Sequence, residues 1–334
     1  MSCDRRSRCS WAQGPAATRS GRWWTGVWRG GRGLFGALAL VLFACAAAGA
    51  YERGIEAMGR GDEAEAVRQL EQAVREQPER TEGWRELARA RLRVGATGPA
   101  RAAIDRALEL APDDLAALLL RAQIRATAGD LALARADAEV VAARSAAARE
   151  LEEAAVVLAR TGAPAAAIAA ARAAVERSGG AAATYTNLAV ITAELGMADA
   201  AMEAASDGLR RHPDDLGLLQ TDAALRLRTG DLAGARRRYE QLIARHPQPG
   251  RVHLALALVS FEQGDLVSAR NHAARALQLD GQTRADVHAT WVVVLRATGE
   301  DARARADLAA GLRRFPSDPQ LRRLAAADGA PTRP

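Results

Sequence analysis

The chain has 334 residues, with 46 Lys+Arg against 40 Asp+Glu and a formal charge of +6. Every cation is Arg, and the first 50 residues hold seven of them (Arg5, Arg6, Arg8, Arg19, Arg22, Arg29 and Arg32) against the single acid Asp4, so the whole excess lies there and the rest is electroneutral. This argues against a nucleic-acid-binding body, and confinement of cysteine to Cys3, Cys9 and Cys45 removes disulfide, zinc-thiolate and cysteine-nucleophile chemistry from residue 46 onward.

Arg without Lys, in an Ala-rich chain, points to a GC-rich bacterial genome. Residues 1–33 are rich in Arg, Gly and Trp and have no helical or strand period, so a disordered basic leader is expected. From Gly33 to Tyr51 there are 19 consecutive uncharged residues, with an apolar heart over Leu34–Ala44. At about 1.5 Å per residue such a helix covers about 28 Å, enough for a bilayer core. Arg29 and Arg32 precede it, and the next charge is Glu52. A positive flank followed by an apolar run keeps the N-terminus in the cytoplasm and sends the remainder outward.

Residues 34–50 therefore read as a signal anchor, a cleaved signal peptide or a lipoprotein signal. Ala48 and Ala50 suit signal peptidase. Leu42-Phe43-Ala44-Cys45 resembles a lipobox with Cys45 as the lipidated residue, although Phe43 departs from it. The expected location is the cytoplasmic membrane with the folded part facing the periplasm, or alternatively a lipoprotein or secreted protein.

The body repeats. Gly61, Gly95, Gly129, Gly162, Gly196, Gly230, Gly264 and Gly299 follow one another at intervals of 34, 34, 33, 34, 34, 34 and 35 residues. Each falls between two Ala/Leu-rich stretches, where a turn between helices needs a permissive backbone. Five residues after each comes Ala (66, 100, 134, 167, 201, 235, 269 and 304), which fits close helix approach. Pro78, Pro112, Pro213, Pro247 and Pro316 stand 17 residues after a Gly, where they end a second helix. Asp113-Asp114 and Asp214-Asp215 suit helix N-termini.

These features resemble the tetratricopeptide repeat. Trp84, Leu87, Ala88, Gly95, Ala100, Ile104, Ala107 and Pro112 carry the signature best. The resemblance implies an all-α fold: an α-solenoid of eight helical hairpins forming a right-handed superhelix. Repeats fall at 47–80, 81–114, 115–147, 148–181, 182–215, 216–249, 250–284 and 285–318. The body thus spans 51–318, followed by a closing helix over 319–327 and a disordered tail over 328–334. Repeat 4 is very Ala-rich, with Gly179-Gly180 where the Pro would be, and is expected to pack more weakly. Asp222 occupies a normally apolar position.

The resemblance also implies that positions 2, 5, 6, 9, 12 and 13 of each unit face a concave groove that holds a protein or peptide partner. In that register Arg85, Arg89 and Arg93 form a basic stripe suited to a carboxylate or phosphate, or else a salt-bridged solvated face. Leu119, Leu120, Leu254, Leu258 and Phe261 are placed for an apolar segment of a partner, or else for packing between repeats. Chaperone-binding members grip a peptide's terminal carboxylate with Lys and Asn; Tyr51, Ile55, Glu86, Arg89 and Thr186 do not match, and only Asn187 does. The runs Arg210-Arg211-His212 and Arg236-Arg237-Arg238 read as solvated convex surface.

His212, His246, His253, His272 and His288 show no metal spacing, and no phosphate loop or nucleophile elbow occurs. No catalysis, cofactor, metal or nucleic acid is expected. The function that follows is a non-enzymatic interaction scaffold for assembly of a cell-envelope complex. The alternative is a peptide- or ligand-sensing regulatory repeat protein.

Overall fold

In a computed structural model, residues 49–245 and 250–329 are described. The basic leader, the apolar segment up to residue 48 with Cys45, His246 and Pro247, and the last residues of the tail lie outside that range. Among the described residues there are helices and turns and no strand.

The helices run as pairs. The first pair is α1 (residues 49–60) with α2 (Glu63–Glu76). Then come α3 (Thr81–Arg93) with α4 (Thr97–Leu110), and α5 (Leu115–Ala128) with α6 (Leu131–Arg144). They continue as α7 (Ala148–Arg160) with α8 (Pro164–Arg177), and α9 (Ala182–Glu194) with α10 (Ala198–Arg211). The last three pairs are α11 (Leu216–Arg228) with α12 (Leu232–Arg245), α13 (Gly250–Glu262) with α14 (Leu266–Asp280), and α15 (Ala285–Ala297) with α16 (Asp301–Arg314). A further helix, α17 (Pro319–Gly329), packs on α15 and α16 and closes the stack.

The turn inside each pair has a simple cause. Gly129 ends α5 at φ 91°, where a Cβ would be strained, and the other seven spaced glycines share this left-handed conformation. Asp62, Asp114, Asp215 and Asp265 cap the helices that follow them by accepting backbone N–H bonds. All eight alanines five residues after the turn glycines are fully buried. A small side chain there lets the second helix of a pair close on the first.

Most first helices pack on the first helix of the next pair: α3 on α5, α5 on α7, α7 on α9, α9 on α11 and α13 on α15. Second helices reach the next pair through its first helix, as α4 does on α5 and α8 on α9. The odd-numbered helices therefore form the tighter, inner layer. The core is continuous along the stack but changes in kind. Leu70, Leu87, Ile104 and Ile124 fill its beginning, and Trp291, Leu295 and Leu321 its end. Between them, around α7, α8 and α10, buried alanine dominates. Alanine gives up less apolar area per residue than leucine, and a cavity of about 390 Å³ opens there beside Val175, Tyr185 and Ala204.

One seam inside the pairs is polar. Residues 16 apart meet across it: Arg53 with Gln69, Arg121 with Asp137, Asp222 with Arg238, and Trp291 with Asp307. Leu87 and Ala103, or Ala154 and Ala170, take the same places elsewhere and are buried. Asp222 is fully buried, yet it accepts from Arg226 at 2.9 Å and Arg238 at 2.6 Å. Arg238 is thereby removed from the expected convex basic run, and Arg236 is held by Glu240 and Asp265.

Candidate binding groove

The inner layer presents one face of each first helix. Its N-terminal third is charged, and its arginines are paired within the fold. Arg85 donates to Asp114 at 2.7 Å, Arg89 to the buried Glu86 at 2.7 Å, and Arg93 to Glu63 at 2.6 Å and the Met58 carbonyl at 3.3 Å. Burial disfavours the charge on Arg85, but Asp114 overrides it and raises the pKa above the usual arginine value. The three guanidinium groups lie on one helix as the spacing implies, and each is occupied by an acid of its own fold. They knit pairs 1 to 3 together rather than standing open for an anion.

The apolar candidates divide. Leu119 and Leu120 are each 3% exposed and Leu254 7%, so they belong to the core and not to the groove lining. The reason is length and polarity. Arg85 and Glu152 hold the same repeat position as Leu119 and Leu254 but stay half-exposed, their polar ends meeting Asp114 and Asn187, whereas the leucines are buried. Leu258 is 41% exposed and Phe261 half-buried. Asn187 is exposed and donates to Glu152 on the preceding first helix at 2.9 Å.

Sequence reasoning passed over a feature in the same register as Leu258. Val156, Val190, Ala224 and Leu258 stand at successive intervals of 34 residues, all at the ninth position of a first helix and all exposed. Val293, 35 residues on, is half-exposed. Val156 and Val190 are 44% and 41% exposed. They share a cavity of about 350 Å³ with Glu152, Glu153, Asn187 and Glu194. A second cavity of about 420 Å³ follows between α9 and α11, lined by Val190, Gln220, Thr221, Ala224 and Arg228. In pairs 2 and 3 the ninth residue is instead Arg89 or Gln123. Reading that single position from repeat to repeat would have revealed the change from polar to apolar.

Among the described residues no three His, Cys, Asp or Glu converge as metal ligands, and no helix is long and apolar enough to cross a membrane.

The model of the tetratricopeptide repeat family matches residues 57–124 and, in a second version, residues 223–283. Both segments are tetratricopeptide repeats. Solved structures share the fold over most of the stack. A tetratricopeptide repeat protein from Parabacteroides merdae superposes with a TM-score of 0.52 at 15% identity, covering 75% of this chain and 98% of that one. The C-terminal part of a repeat-containing protein from Cytophaga hutchinsonii gives 0.53 at 14% identity, covering 70% and 96%. No curated protein matches the sequence.

The chain is thus an α-solenoid of tetratricopeptide hairpins, a stack that extends one surface from repeat to repeat. In such a stack the inner layer is the surface that every hairpin extends, so a side chain repeated at one position becomes a continuous row. Here that row is aliphatic over the last five hairpins.

Proposed function

We propose that the protein is a non-enzymatic scaffold that binds a segment of a protein partner along the C-terminal two thirds of its groove. The observation that carries this reading is the row Val156, Val190, Ala224 and Leu258: Val94, Leu131, Leu133, Val140 and Val267 are exposed as well, but these four are solvent-facing aliphatic groups that recur at one position of successive first helices. A contiguous exposed apolar strip marks a contact surface. The scaffold is tethered by residues 34–50 at a bacterial cytoplasmic membrane, with the repeats outside, and serves assembly of an envelope complex. What supports retention of the segment is Ala50, fully buried within α1. Signal-peptidase cleavage after Ala50 would remove that core residue, while retention, or lipidation at Cys45, keeps it.

The test uses the full chain purified from membranes. Affinity capture recovers defined envelope proteins with the natural chain and loses them with Val190→Asp. The triple variant Arg85→Ala, Arg89→Ala, Arg93→Ala keeps the partners while its melting temperature falls. Capture that survives Val190→Asp with helicity intact, or that is lost only in the arginine variant, would overturn the assignment. The intact mass of the mature protein reads the fate of the leader.

A further inference from the structure

The groove reading leaves the form of the partner open, and the spacing and charge of the aliphatic row address it. Packed helices lie about 8–10 Å apart axis to axis, which sets the step from one ninth-position side chain to the next where first helices are in contact, as α7, α9 and α11 are. An extended strand returns to the same face every second residue, at about 6.6 Å or 13 Å. Neither value matches the step. An α-helix presents the same face every seventh residue, at about 10.5 Å, the nearest of the three to the step. The row is uneven in size. Ala224, between Val190 and Leu258, borders a hollow of about 420 Å³ with room for a large aliphatic side chain.

Charge supplies the second constraint. Three carboxylates and one cation line the cavity between α7 and α9. The cation is spent: Arg149 pairs with Glu153 at 3.0 Å. Glu152 receives only the neutral amide of Asn187, and Glu194 is exposed without an ion-pair partner among the described residues. Arg228 lines the next cavity together with Glu194, but it donates to the Ala193 carbonyl at 3.1 Å rather than to the carboxylate. Two carboxylates without cations therefore flank Val156 and Val190.

Resting on the groove reading, we infer that the occupant is an amphipathic helix of the partner. It carries aliphatic side chains one heptad apart and lysine or arginine beside those that meet Val156 and Val190. The aliphatic residues fill the hollows between first helices, and the cations face Glu152 and Glu194.

Two labelled peptides of three heptads test this by fluorescence anisotropy against the detergent-solubilised full chain. Both place leucine on one helical face; one flanks it with lysine and the other with glutamate. The lysine peptide is expected to bind about tenfold more tightly. In the variant Glu152→Gln, Glu194→Gln the preference should shrink to about twofold, with the affinity for the glutamate peptide rising. Equal binding of the two peptides, or a preference unchanged in the double variant, overturns the charge assignment while leaving the groove in place. A proline-interrupted version of the lysine peptide that binds as well as the helical one overturns the helix. If no peptide binds, or if Val190→Asp with unaltered circular dichroism binds as the natural chain does, the groove reading itself fails.

Discussion

Asp222 and Arg238 face each other across hairpin 6 at 2.6 Å, and hairpin 3 contains the same arrangement with the charges exchanged. There Arg121 on the first helix meets Asp137 on the second at 2.8 Å. Each acid also takes an arginine from the same place in the first helix, Arg226 in one case and Arg125 in the other. Both acids are buried while the arginines keep part of their surface in water. A buried carboxylate without such partners costs several kcal/mol, so the pair compensates burial rather than adding much net stability.

This symmetry can be tested by exchange. Asp222→Arg alone brings three guanidinium groups together beside the core and should destabilise the chain by about 3 kcal/mol in urea unfolding. Adding Arg238→Asp recreates the hairpin 3 arrangement and should recover all but about 1 kcal/mol, a large coupling for two residues in direct contact. Were the double variant no more stable than the single one, the seam would have to be set by something other than charge pairing.

The exchange also shows what was legible. The 34-residue spacing of glycines, and the alanines that follow them, specify helical hairpins because only small residues satisfy a left-handed turn and a tight crossing. Seam pairs 16 residues apart were equally present in the sequence. They become readable only when residues are compared by repeat position instead of along the chain, which is why Arg238 passed as one member of an arginine run. The groove was harder. Leu119 and Leu254 share a backbone position with Arg85 and Glu152, and whether such a side chain points into or away from the core depends on its own chemistry and on its neighbour. Arg85 and Arg93 looked free because their acids, Asp114 and Glu63, come from outside α3.

Acid should weaken the seventh hairpin in two separable steps. His253 and His272 approach at 3.1 Å between their Nδ1 atoms. Burial first, and then His253 and Arg236, lower the His272 pKa below 6.5; Glu240 and Asp265 oppose this. A histidine with a depressed folded pKa binds its proton more readily when unfolded. Its contribution is therefore complete above about pH 6.5 and is lost as pH falls below it. Asp265 acts lower. Hydrogen bonds from Ser268 and then Arg236 bring its pKa to about 2, so its contribution is present above about pH 4 and is lost toward pH 2. His272→Gln should flatten the melting temperature between pH 7 and 5.5 and leave the lower step; Asp265→Asn should do the reverse. A pH profile identical to that of the natural chain in either variant would remove that residue from the account.

Glycine inside a helix usually weakens it by about 0.5–1 kcal/mol relative to alanine, and two glycines here should respond in opposite directions. Gly59, in α1, has nothing within 4 Å of the place its Cβ would occupy. Gly208, in α10, would set its Cβ 2.8 Å from the Leu218 Cδ2 and 2.8 Å from the Tyr185 Cβ. The leucine end can swing aside, but the tyrosine Cβ is fixed to the α9 backbone. Gly59→Ala should raise stability by about 0.5 kcal/mol through helix propensity alone. Gly208→Ala should lower it by about 1–3 kcal/mol, because pushing α9 from α10 outweighs the gain in propensity. Thermal melts followed by circular dichroism compare the two directly. A stabilised Gly208→Ala variant would mean that α9 and α10 separate without cost, and that the crossing does not demand glycine.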